Sequence, residues 1–128
     1  MNRQIVTSGT PWESAVGYSR AVKAGNQIFI SGTTASTVHG EVIAPGDAYG
    51  QTRCVLERIE AALVELGASL SDVVRTRMYV TDIEGWEEIG RAHAEAFGEV
   101  KPAATMVQVS RLVAPDHLVE IEADAVIG

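Results

Sequence analysis

Val119-Glu120-Ile121-Glu122-Ala123-Asp124-Ala125 alternates four apolar side chains with three carboxylates. A period of two is the signature of a β-strand with one face in a core, so the acids share the other face. There they stand roughly 7 Å apart and repel one another unless something compensates. Val74-Arg75-Thr76-Arg77-Met78-Tyr79-Val80 supplies the complement, because the same period places Arg75, Arg77 and Tyr79 on one face. If the two strands are neighbours, acids meet arginines across the ladder. The plainer reading is an acidic face turned to water. The sharper one is a polar, site-bearing face buried against another subunit.

The chain has 128 residues, enough for one domain (1–128) with a single core. Apolar residues make up 46% and charged residues 21%, ordinary for a globular protein. A net charge of −7 disfavours a nucleic-acid partner, because phosphate binding needs clustered Lys and Arg. No apolar run approaches the roughly 20 residues of a membrane span, and Met1-Asn2-Arg3-Gln4-Ile5 has no signal-peptide core. A lone cysteine, Cys54, excludes an intrachain disulfide and agrees with a reducing cytoplasm. The histidines at 39, 93 and 117 are isolated, so no metal-ligand spacing is present and no metal or cofactor is expected.

Residues 3–7 read as a short first strand. Residues 17–24 and 27–31 read as a hairpin around Gly25-Asn26, with Gly32 breaking the second strand. A loop rich in Gly, Thr and Pro runs from 33 to 46. Asp47 is the expected N-cap of a helix whose Thr52, Val55, Leu56, Ile59, Ala62, Leu63 and Leu66 recur at i, i+3, i+4, i+7. Gly67 stops it. A strand follows over 73–81, then a helix starting at 82–85. Trp86, Ile89, His93, Ala96 and Phe97 line one stripe of that helix, and it ends at Gly98. Strands are expected over 105–112 and 118–127, joined by a turn at 114–117. The order β-β-β-α-β-α-β-β, with both helices amphipathic on one side, implies an α+β layer: a mixed sheet with two helices on one face. The other face then needs a cover, and a homo-oligomer is the economical one.

The run Lys101-Pro102-Ala103-Ala104-Thr105-Met106-Val107-Gln108-Val109-Ser110-Arg111-Leu112, followed by Leu118-Val119-Glu120-Ile121-Glu122-Ala123, resembles the C-terminal signature of the RidA/YjgF (L-PSP endoribonuclease-like) family. Gly17-Tyr18, Ile30-Ser31-Gly32 and Val80-Thr81-Asp82 resemble the same family, so the similarity covers nearly the whole chain. The resemblance implies a chorismate-mutase-like fold, a homotrimer, and inter-subunit clefts that bind small molecules. It also implies cofactor-free hydrolysis of reactive enamines and imines to 2-oxo acids and ammonia.

The chain departs from the family at one informative position. Deaminase members have an arginine two residues after the motif proline, where it clamps the substrate carboxylate. Here that position is Ala104. Losing a charge-assisted contact in a desolvated cleft costs about 2–5 kcal/mol, or roughly 30- to 4,000-fold in binding, so 2-imino acids are disfavoured as substrates. Gly90 likewise stands where many members have an asparagine. Arg77 is the first candidate for a replacement cation, with Arg111 and Arg20 behind it.

Imine hydrolysis needs a proton on nitrogen, a water aimed at carbon, and a proton shuttle as the adduct collapses. Glu120 matches the family's cleft glutamate and is the expected catalytic group, since a carboxylate whose pKa is raised by burial can aim and deprotonate water. Its alternative role is a partner in the Arg75/Arg77 ladder. Tyr18 matches the cleft tyrosine and can close the cleft, although half-buried packing explains it as well. Backbone N–H groups at Ser31 and Gly32 can hold a substrate oxygen. Thr105 can offer a hydroxyl or N–H to a ligand beside Ala104. His93 is a binding or acid/base candidate whose simpler role is packing. The function expected from these residues is a cofactor-free hydrolase or deaminase of a small enamine, imine or related carbonyl compound. A non-catalytic trimer that binds a metabolite is the alternative, and a ribonuclease or translation inhibitor ranks third because of the acidic charge.

Overall fold

A computed structural model describes residues 2–128. It contains a six-stranded sheet in the order β1-β2-β3-β6-β4-β5, made by β1 (Arg3–Val6), β2 (Ala21–Ala24), β3 (Gln27–Thr34), β4 (Val73–Val80), β5 (Ala103–Gln108) and β6 (Val119–Val126). All pairings are antiparallel except β4–β5. Three helices accompany it: α1 (Pro11–Val16), α2 (Ala48–Glu65) and α3 (Trp86–Phe97).

The acid-and-arginine reading holds. β6 lies between β3 and β4, and Arg75 pairs with Asp124, Arg77 with Glu122 and Tyr79 with Glu120. Arg77 Nη1 reaches Asp124 Oδ2 at 3.2 Å and Glu122 Oε1 at 3.4 Å, while the Tyr79 hydroxyl donates to Glu122 at 3.0 Å. The other face of β6 carries Val119, Ile121, Ala123 and Ala125 into the core. Val55, Ile59 and Leu63 of α2 and Ile89 and Phe97 of α3 complete that core, so both long helices cover one side of the sheet. Asp47 caps α2 by accepting the Gly50 N–H at 2.8 Å.

Four local expectations change. Residues 17–20 are not strand. A helix missed in the sequence occupies 11–16, Gly17 ends it in the left-handed region at φ 89°, and the Gly17 and Tyr18 N–H groups both return to Glu13 O. Gly32 does not stop its strand. β3 runs on to Thr34 through a bulge between Ile30 and Thr33, because the ladder to β6 absorbs the extra residues. β5 begins at Ala103 and stops at Gln108, so Val109 to Leu112 lie outside the sheet. Trp86, assigned to the core stripe of α3, is 56% exposed.

The sheet face opposite α2 and α3 is open in the single chain, and it exposes Phe29 and Val107 among its charges. Among the described residues, no helix is long and apolar enough to cross a membrane. Cys54 has no disulfide partner, and burial pushes its thiol pKa up, away from nucleophilic reactivity.

Candidate active site

Where β3 ends and β6 begins, the chain forms a cavity of about 120 Å³ that is open on one side. α1 and the turn after it contribute Trp12, Val16 and Tyr18. Arg20, Gly32 and Thr34 line the side next to β2 and β3, and Val113, His117 and Glu120 close it from the segment that enters β6.

Glu120 is the chemical centre of this cavity. Burial holds its carboxyl above the ordinary carboxylate range; Arg20 opposes that shift and Glu122 adds to it. The carboxylate lies directly over Gly32: a Cβ at that position would sit 2.2 Å from Glu120 Oε2. Only glycine leaves that approach open.

Arg20 is 5% exposed and donates from Nη2 to Gly32 O at 2.5 Å, so one bulge residue binds the cation and leaves room for the acid. Its guanidinium carbon lies 5.9 Å from the centre of the Tyr18 ring. A second half-buried arginine, Arg58 of α2, donates to Thr34 O at 2.5 Å. Burial, then mutual repulsion, weakens the proton affinity of Arg20, with Tyr18, Glu13 and Glu120 opposing. Glu13 anchors α1 from behind by accepting from Ser8 N–H at 3.0 Å, from the Ser8 hydroxyl, and from Thr10 Oγ1 at 2.9 Å. Burial raises its pKa, but these donors prevail and keep it below the usual range.

His117 closes the expected 114–117 turn, with its N–H on Ala114 O at 3.1 Å, and its side chain, 1% exposed, lines the cavity. Its Nε2 lies 2.8 Å from Ser36 Oγ, which lies 2.8 Å from Thr34 Oγ1, and Trp12 meets the ring edge-on at 6.2 Å. The turn is fixed by fully buried Gln51. Its Nε2 donates to Asp116 O (2.9 Å) and Ala44 O (3.3 Å), and its Oε1 accepts from Leu118 N–H (2.8 Å). Gln51→Leu would leave three backbone groups unpaired at about 1 kcal/mol or more each. The expected loss of at least about 3 kcal/mol is measured as a shifted urea midpoint at unchanged slope.

The other candidates are not all gathered here. Ser31 points away, a correction of its expected role. The bulge turns its hydroxyl to Ser19 O at 2.6 Å and its N–H to Arg20 O at 3.0 Å. Arg77 is committed to Glu122 and Asp124 on the open face, and it does not line the Glu120 cavity. Arg111 lies outside that cavity too. Ala104 and Thr105 are exposed on edge strand β5, beyond β6 and β4 from β3. His93 lies on the side of Ala104, which is in register with Thr76, whose Oγ1 lies 2.9 Å from His93 Nε2. One chain therefore carries its candidates in separate places: Tyr18, Gly32 and Glu120 at one cavity, and Ala104 and Thr105 on the β5 edge, Ala104 on the Thr76–His93 side of the sheet and Thr105 on the open side with Arg77. A wider groove of about 420 Å³ between α2 and α3 is lined by Arg53, Glu57, Glu60 and Glu95, but none of these is a buried titratable group. Among the described residues, no cluster of His, Cys, Asp and Glu is placed to hold a metal ion.

Burial keeps both His93 and His117 below the ordinary histidine pKa, Arg58 adding to the effect at His117 and Asp116 opposing it. An unfolded chain binds the proton that the folded one refuses. The stability they contribute is therefore complete above about pH 6.5 and is lost as pH falls toward the lowered folded values. Glu120 acts with the opposite sign between the ordinary carboxylate pKa and its own raised value, and Glu13 adds an acid-labile contribution lower still. His93→Gln, which can keep the Thr76 contact, should flatten the decline in melting temperature between pH 7 and pH 5.

An acid, a cation and a histidine around a small cavity at a sheet end form a candidate small-molecule site on an α+β scaffold. Residues 2–127 match the family described as Endoribonuclease L-PSP. A crystal structure from Mycobacterium tuberculosis, a member of the YjgF/YER057c/UK114 family, is 53% identical with a TM-score of 0.89, covering 98% of this chain and 100% of that one. The 3-aminoacrylate deaminase RutC of Acinetobacter baylyi is 40% identical over 117 residues, 91% of each chain. E. coli TdcF, solved with bound serine, is 32% identical with a TM-score of 0.82, covering 97% of this chain and 98% of that one. The chain belongs to the L-PSP endoribonuclease family, also called YjgF or RidA.

Proposed function

We propose that the chain is a cofactor-free hydrolase that deaminates a small enamine, imine or related carbonyl compound, with Glu120 as its proton-transfer group. The observation that carries this reading is the Glu120 carboxyl, held over Gly32 with a raised pKa beside Arg20 and His117. Ionised Glu120 takes a proton from water as the oxygen adds to the C=N carbon of a substrate protonated on nitrogen. Glu120 then returns that proton to the amine and takes the adduct's hydroxyl proton as the C–N bond breaks, leaving a carbonyl and ammonia, and it passes this last proton to ammonia or water. The step is redox-neutral.

The active form in this proposal is a homotrimer in which the Glu120 cavity of one protomer faces the β5 edge of the next. The separation of the candidates within one chain supports it, as does the open sheet face with Phe29 and Val107 exposed. Thr105 would then meet the ligand from the second protomer. Ala104, at the position the resemblance gives to an arginine, disfavours 2-imino acids held from that edge. Ammonia release across a panel of imines, with Glu120→Ala as control, tests the reading; activity untouched by the substitution rejects it. A non-catalytic binder is the second reading, supported by Ala104 and Gly90 together. It predicts ligand in the cleft without product.

A further inference from the structure

Among the described residues, the buried side-chain nitrogens without a hydrogen-bond partner are Arg20 Nε and His117 Nδ1. Both side chains are more than nine-tenths buried, and both line the Glu120 cavity. They arrive from separate parts of the chain, one before β2 and the other before β6. Buried polar groups are nearly always paired, so two exceptions around one small cavity mark a place made for hydrogen-bond acceptors.

We infer that Arg20 is the anion anchor of this pocket, holding the carboxylate of a small acid with His117 as a second donor. This deepens the proposed function and rests on it. The cation that the resemblance places at Ala104 is then relocated to the opposite wall of the cleft.

Three observations favour an anion over a neutral ligand. The guanidinium has five N–H donors, and its one side-chain bond goes to Gly32 O. The ion pairs among the described residues are Arg53–Glu57 and Arg77 with Glu122 and Asp124, so neither Arg20 nor Arg58 has a carboxylate within bridging distance. A buried guanidinium without such a partner is unfavourable, and a bound carboxylate supplies the planar, two-oxygen acceptor that it fits best. Finally, the nearby acids neutralise the two arginines incompletely. Glu13 is occupied by Ser8 and Thr10, and neither Glu13 nor Glu120 forms an ion pair with either arginine.

The histidine fits the same ligand. In the tautomer where Nε2 accepts from the Ser36 hydroxyl, neutral His117 carries its proton on Nδ1 and presents it as a donor. Val16 and Val113, 74% and 72% exposed, line the same cavity from its outer side and suit the apolar end of the acid. Arg20 and Glu120 share Gly32, so a carboxylate held by Arg20 enters beside the acid rather than from the β5 edge.

Calorimetric titration of the intact protein with pyruvate and with methyl pyruvate tests the inference. Pyruvate should bind at least about 30-fold more tightly than its ester, the equivalent of about 2 kcal/mol. Arg20→Gln should remove that preference, and Arg20→Lys should restore part of it. His117→Phe should weaken pyruvate several-fold without abolishing the preference. If Arg20→Gln fails to fold, a crystal of the unaltered protein soaked in pyruvate decides: a carboxylate within hydrogen-bond distance of Arg20 supports the anchor. Equal binding of acid and ester overturns it. So does an acid seated on the β5 edge, or an ordered water alone bridging Arg20 and His117. Ammonia release that needs Glu120 but not Arg20 removes the anchor and leaves the hydrolase. Pyruvate binding through Arg20 without turnover of any imine removes the hydrolase and leaves the anchor.

Discussion

Glu120→Gln is expected to lower kcat for imine hydrolysis by about 10²- to 10⁴-fold, the usual contribution of a positioned proton-transfer group, while leaving ligand affinity within a few-fold. The amide keeps the shape over Gly32 and can still hydrogen-bond, but it cannot accept and return a proton. A carboxyl raised by burial also makes the rate climb with pH through its own pKa, because only ionised Glu120 deprotonates water. In the variant that limb should vanish. Single-turnover measurements over pH 4–8 check both points. A glutamine enzyme that keeps both the rate and the ascending limb would show that Glu120 serves only the ladder beside Tyr79 and Thr34.

The second large effect is expected at Gly32→Ala. The added methyl would lie 2.2 Å from Glu120 Oε2, well inside contact distance, so the carboxylate must swing away. Backbone conformation is not the obstacle, since Gly32 is not among the positive-φ glycines. The loss should therefore fall on activity, within tenfold of that in Glu120→Gln, with little change in the urea midpoint. The Arg20 contact is to the carbonyl of Gly32, which a methyl does not remove. Adding Gly32→Ala to Glu120→Gln should cost almost nothing more, because both act through one carboxylate.

Much of the architecture is legible in the sequence because local chemistry determines it. The alternation over 119–125 fixes the central strand, Gly25-Asn26 the hairpin between Ala24 and Gln27, and Asp47 the start of α2. Helix α1 is not legible by periodicity: six residues are too few for a 3.6-residue pattern. Thr10-Pro11-Trp12-Glu13 nevertheless carries the start signal of a hydroxyl, a proline and an acid three residues on. The site divides along the same line. Glu120, Tyr18 and Gly32 are indicated by resemblance. His117 is hidden, because its burial depends on Gln51 reaching across from α2, a contact between residues far apart in sequence. Ser31 is misassigned because the bulge turns it toward Ser19, and strand alternation gives no sign of a bulge. Arg77 is the first candidate for a replacement cation, and the sequence places it on one strand face with Tyr79. That same placement commits it to Glu122 and Asp124.

Strand β5 has a neighbour on one side alone, and Ala103, Ala104, Thr105, Val107 and Gln108 along it are all exposed. It carries no charge and no proline, the usual guards against adhesion between chains. A solitary protomer is thus a sticky one: its unsatisfied ladder can recruit any extended segment that passes. In the proposed trimer a sister copy would cover that border, so the same contact that completes the cleft would also guard the chain against clumping.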